Sequence, residues 1–183
     1  MSDPTPWIGV GPRTCEGAVL EAFSAVPGIA GEWRWGFHVG RTRTVETPEG
    51  ITVVLGSHTL FGRVVVAVDD DRGGPVATLR DSGPLETPAQ LAARFRGASP
   101  PGERADALLG LAAAAAFHRH VSVPELERCI ATALDGDDVP LRLIAVRATA
   151  VLPAATGHRL LADRADPDNP GLKEWRALYA EKM

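Results

Sequence analysis

The spacing of apolar positions along this chain changes near residue 98. Before it, short β-branched runs are broken by Gly and Pro. After it, Ala and Leu recur at the three- and four-residue spacing of helices. The first stretch predicts strands near 33–39, 41–46, 51–55, 60–68 and 75–79. Turn sequences at 47–50, 56–59 and 71–74 separate them. Connections this short join antiparallel neighbours, so the strands read as a meander. The run Arg63-Val64-Val65-Val66-Ala67-Val68 is nearly all apolar and belongs in the centre of the sheet, covered on both faces. Ahead of the strands, residues 1–13 read as an irregular lead-in. Thr14 can cap a short helix with Val19, Leu20, Phe23 and Val26 on one face.

Helix signals take over at Thr87-Pro88-Ala89-Gln90, a capping box with Pro at the first helical position. Leu91 and Phe95 follow one turn apart. The sequence Gly97-Ala98-Ser99-Pro100-Pro101-Gly102 reads as a linker. Beyond it a helix is expected over 104–117. Another starts at the box Ser122-Val123-Pro124-Glu125, with Leu126, Cys129, Ile130 and Ala133 on one stripe. Asp137 or Asp138 caps a third, running to about residue 152, with Leu141, Ile144, Ala145, Ala148 and Leu152 inward. A short helix near 156–162 follows, then one from Asn169-Pro170 with Leu172, Trp175 and Tyr179 on one face. The expected class is α+β: an N-terminal helix plus antiparallel β-meander, followed by an α-helical unit. The units are 1–98 and 99–183, and they can pack as one globule.

Part of the helical unit resembles a known family. The residues are Leu134-Asp135-Gly136-Asp137-Asp138-Val139-Pro140-Leu141-Arg142-Leu143-Ile144-Ala145-Val146, an acidic turn before a helix that carries Arg and then small apolar residues. A looser echo spans 166–176, with Lys173 near the basic position and Trp175 after it. Over 122–182 the chain is similar to HEAT-type helical repeats. The resemblance implies a concave surface for a protein, peptide or nucleic-acid partner, and it carries over no catalytic residue. Residues 1–98 resemble no family in this way.

Charge narrows the partner. The net charge is −4, with 9 basic and 11 acidic residues before position 98 and 10 and 12 after it. Neither half has the basic excess that nucleic acid demands, so nucleic acid is not the expected partner. All basic residues but Lys173 and Lys182 are arginine, which with the Ala, Gly and Pro content reads as a high-GC bacterial genome. Cys15 and Cys129 stand far apart in no motif, so a disulfide framework is not indicated. The amino terminus lacks a charged segment followed by an apolar one, and no apolar run matches a membrane span. A cytoplasmic protein with reduced thiols, not bound to a membrane, is expected.

Candidate chemistry is sparse. His118-Arg119-His120 places two imidazoles in the H-x-H pattern that suits a metal on a strand, but here at a helix end, where polar caps also belong. Asp69-Asp70-Asp71 lacks the alternating ligands of a calcium loop and reads as a solvated turn. Ser57 and His58 are neighbours, and on one strand they would face opposite ways. In Trp33-Arg34-Trp35-Gly36-Phe37-His38, period two puts the aromatics on one face, read as sheet core, and Arg34 and His38 on the other. Arg41 and Arg43 could extend that second face into an anion-binding surface. No phosphate loop or dinucleotide fingerprint is present, and no cofactor is expected.

The expected function is therefore that of a non-enzymatic adaptor or regulator binding another protein, with Arg34, Arg142, Lys173 and Trp175 as candidate binding residues. The alternative is a small enzyme acting on a small molecule. Its pocket would lie between sheet and helices and use His38, His58, His118 or His120 as acid–base groups.

Overall fold

The structure, a computed structural model, describes residues 6–12, 34–37, 40–46, 50–58, 61–69, 76–77, 79–80, 85–98, 100–117 and 119–163. Strands come first and helices after, the α+β order that the sequence predicts. The strands are β1 (Trp7–Val10), β2 (Arg34–Phe37), β3 (Gly40–Glu46), β4 (Thr52–His58) and β5 (Arg63–Val68). They form one antiparallel sheet in the order β1-β5-β4-β3-β2. Strands β2 to β5 are the expected meander. The expected helix over 14–26 and the last helix from 169 lie outside the described residues.

Three expectations about the strands are corrected. The supposed lead-in contains β1, which pairs Trp7 with Val68 and Val10 with Val65, and so makes β5 an interior strand. Prolines on both sides disguise Trp-Ile-Gly-Val, yet none falls within those four residues. The free side of β1 is closed by Glu86, whose backbone exchanges hydrogen bonds of 2.8 and 3.0 Å with Val10. Next, β4 does not turn at 56–59 but continues through His58, which pairs with Arg63. The turn falls later, with Gly62 at φ +61°, a conformation that glycine adopts without strain. Finally, the predicted strand at 75–79 is helical at Val76, Ala77, Leu79 and Arg80. Val76 and Leu79 are buried while Ala77 and Arg80 are exposed, so the run follows three-residue spacing rather than alternation.

The helices are α1 (Pro88–Gly97), α2 (Pro101–Phe117), α3 (Arg119–Leu134), α4 (Val139–Ala148) and α5 (Ala154–Asp163), with a 3-10 turn at Thr149–Val151. Both halves of the Thr87 capping box form: Gln90 N–H donates to Thr87 Oγ1 at 3.3 Å, and Thr87 N–H to Gln90 Oε1 at 2.8 Å. The expected linker shrinks to residues 98–100, because α2 begins at Pro101 rather than 104. Helix α3 begins at Arg119, ahead of the Ser122 box, and takes Pro124 inside it. That position lacks an amide hydrogen and costs the helix one backbone bond. Asp138 caps α4 by accepting from Leu141 N–H at 2.7 Å.

Apolar side chains gather on both faces of the sheet. Trp7, Val53, Leu55 and Val66 cluster with Val76 and Leu79 on one face. On the other, Ile8, Val10 and Val65 share a larger cluster with Leu108, Leu126 and Leu160. Residues from both sides of the 98–100 connection thus share this core. At its centre, Ala112 to Ala115 of α2 are fully buried. Their small side chains let α2 pack at once against α1, α3, α4, β1 and β5. Where α2 ends, a Cβ on Gly56 would overlap the Phe117 ring, so only glycine admits this approach. Among the described residues, no helix is long and apolar enough to cross a membrane.

Candidate functional site

The most developed polar constellation is a chain of four charges between sheet and helices. Arg63 opens β5 with its side chain beneath α2, where it pairs with Asp106. Its guanidinium also donates to the Asp106 carbonyl at 3.0 Å and the Gly11 carbonyl at 3.3 Å. The second Asp106 oxygen accepts two hydrogen bonds of 3.1 Å from Arg94 of α1. The Arg94 guanidinium in turn donates to both Glu86 carboxylate oxygens, at 2.9 and 2.7 Å. Burial works against the Arg94 charge, but hydrogen bonds and charge from Glu86 and Asp106 outweigh it, so its pKa is raised. Two cations and two anions balance. Glu86 is itself bonded to β1, so the chain joins β1, β5, α1 and α2. It is a tie between layers, with no nucleophile in it.

A second cluster lies between α1 and α3. Glu125 pairs with Arg128 at 3.2 Å and with Arg96 at 3.5 Å. Arg104 stacks over the Phe95 ring, 4.9 Å from its centroid. Cys129 is buried among them, and burial pushes its thiol up to about 11 against the opposing charges of Arg96, Arg128 and Arg104. A thiol held neutral in this way is a core group rather than a nucleophile.

The described surface has one exposed apolar feature on a helix. Val139 is 52% and Leu143 44% exposed, one turn apart on α4, and Pro140 beside them is exposed too. The opposite stripe of α4, Leu141, Ala145 and Ala148, is buried as predicted. Arg142 lies half-buried between the two faces, and exposed Arg147 follows Leu143 by one turn.

The remaining predicted residues scatter. Arg34 pairs with Thr44 across β2 and β3, while Trp35 and Phe37 pair with Arg43 and Arg41. His58 ends β4, in register with Gly40 and Arg63, and Ser57 precedes it on the same strand. His120 opens α3 three residues after Phe117, and Phe117 rests on Gly56. His38, His118, Lys173 and Trp175 lie outside the described residues, as does the echo at 166–176. Residues 134–146, which resemble a HEAT-type repeat in sequence, span the end of α3, the turn after it and most of α4. Among the described residues, no group of three or more His, Cys, Asp or Glu could hold a metal.

Comparisons with known protein families, with curated proteins and with solved structures find no match to this chain. Sequence reasoning missed the four-charge chain and the apolar pair on α4. The one local signal for the first was an arginine opening an otherwise apolar central strand. The second was hidden because Val139 and Leu143 resemble core residues in any apolar pattern.

Proposed function

We propose that this protein is a non-enzymatic interaction protein, an adaptor or regulator that binds another protein through the exposed face of α4. The observation that carries the reading is the exposed pair Val139 and Leu143 on a helix whose other stripe is buried. Large apolar side chains held out on a rigid, capped helix suit a partner helix or groove better than water. Arg142 and Arg147 would flank the contact, and the lack of basic excess favours protein over nucleic acid. The wide cysteine spacing supports placing it in a reducing, cytoplasmic setting. The test is quantitative affinity capture from the native host, comparing wild type with a Val139→Asp/Leu143→Asp variant of equal melting temperature. A partner retained by wild type and lost by the variant supports the reading.

The alternative reading is a small enzyme with His58 or His120 as its acid–base group. An activity abolished by His58→Ala or His120→Ala, with the fold intact, would replace the binding reading with that one.

A further inference from the structure

We infer that Arg96, Arg104 and Arg128 form a binding site for a phosphate monoester where α1, α2 and α3 meet. The site shares no residue with the exposed face of α4 and stands or falls apart from it. Each arginine comes from a different helix: Arg96 from the last turn of α1, Arg104 from the first turn of α2, and Arg128 from α3. The three helices pack on one another, and all three guanidinium charges act on the same buried sulfur, that of Cys129. Among the described residues one carboxylate pairs with this set. Glu125 meets Arg128 at 3.2 Å and Arg96 at 3.5 Å, while Arg128 Nε donates to the Pro124 carbonyl at 3.3 Å. Arg104 has no carboxylate among the described residues. It lies over the buried Phe95 ring with its Nε buried and without an acceptor, and this stacking fixes the plane of its guanidinium. The next acid on α3, Glu127, is taken up by Arg159, and Glu103 is exposed to solvent.

In the chain from Arg63 to Glu86 two arginines meet two carboxylates. Here three arginines meet one, which leaves two positive charges uncompensated. A phosphate monoester near neutral pH brings about two negative charges and three acceptor oxygens, one for each guanidinium. A carboxylate brings a single charge on two oxygens, and a nucleic-acid strand needs a longer basic face. Glu125 competes with the phosphate for Arg96 and Arg128, so it sets the affinity from within the site.

The test is a titration followed through the amide and arginine Nε–H resonances at about pH 7.5, where the phosphate is mostly dianionic. The probes are inorganic phosphate, a phosphoserine peptide and the same peptide unphosphorylated, with ionic strength held constant by sodium chloride. Saturable binding of inorganic phosphate alone supports the site with a small-molecule phosphate as ligand. Tighter binding of the phosphoserine peptide, with its serine counterpart silent, supports it with a modified protein as ligand. Arg96→Ala and Arg128→Ala remove side chains 59% and 68% exposed, and each weakens binding about tenfold. Arg104→Met, which keeps the contact with Phe95, does the same. Glu125→Gln removes the competing carboxylate and tightens binding about two- to fivefold. Melting temperatures confirm that each variant folds. The inference is overturned if neither phosphate probe binds, if chloride shifts the same resonances equally, or if an Arg96→Ala/Arg128→Ala variant binds as tightly as wild type. A Glu125→Gln variant that binds more weakly also overturns it.

Discussion

Arg63 and Asp106 pair across the sheet–helix junction, the arginine 2% exposed and the aspartate 33%. The two ends of this bond are not equivalent. Removing the aspartate takes from a buried cation the carboxylate it pairs with on α2, whereas removing the arginine leaves Asp106 still paired with Arg94. Asp106→Ala is expected to destabilise the fold by about 3 kcal/mol, and Arg63→Met, which keeps the volume without the charge, by clearly less. Urea denaturation of the two variants checks the order. Equal losses would mean that the pair contributes through packing alone.

The contact between Gly56 and Phe117 predicts a non-additive pair. Gly56→Ala should cost about 1–3 kcal/mol, because the new methyl overlaps the aromatic ring. In a Phe117→Ala background the same change should cost far less. A double-mutant cycle read by thermal denaturation supplies the coupling.

Cys129 gives the fold an alkaline limit. Burial raises its thiol from about 9 to about 11, so the folded chain keeps a proton that the unfolded chain releases between those values. Stability from this group is complete below pH 9 and is lost as pH climbs to about 11. In a Cys15→Ala background, adding Cys129→Ala should flatten the fall in stability over that window. Thiol reagents at pH 8 should modify Cys129 only after denaturation.

Burial separates the apolar residues that hold the fold from those that do not. Leu126→Ala, at a fully buried position of α3, should cost about 2–5 kcal/mol. Leu143→Ala, on the exposed face of α4, should change stability by no more than about 0.5 kcal/mol. Chemical denaturation of both proteins separates the two cases.

Much of the frame was legible in residue spacing. Alternation and turn residues located β2 to β5, and the apolar run at Arg63–Val68 marked the interior strand. Capping residues Thr87 and Asp138 perform the bonds that their sequence contexts predict. The stripe Leu126, Cys129, Ile130 and Ala133 is buried as expected. Ambiguity arose where one pattern serves two structures. Gly56 read as a turn residue, but its lack of a side chain serves Phe117 instead. Val76 and Leu79 fit a strand by composition and a helical turn by spacing. The charge chain was not legible, because Arg63 and Asp106 lie 43 residues apart, and an arginine at the head of an apolar strand does not name its partner. The α4 face was hidden for a related reason: periodicity finds apolar stripes but does not say which of them the fold leaves uncovered.

The most direct test of the central claim is quantitative capture from the native host with wild-type protein and the Val139→Asp/Leu143→Asp variant, matched for melting temperature. The account predicts another protein held by wild type and lost by the variant. Equal recovery with both baits would contradict it, as would recovery of nothing alongside an activity that depends on His58 or His120.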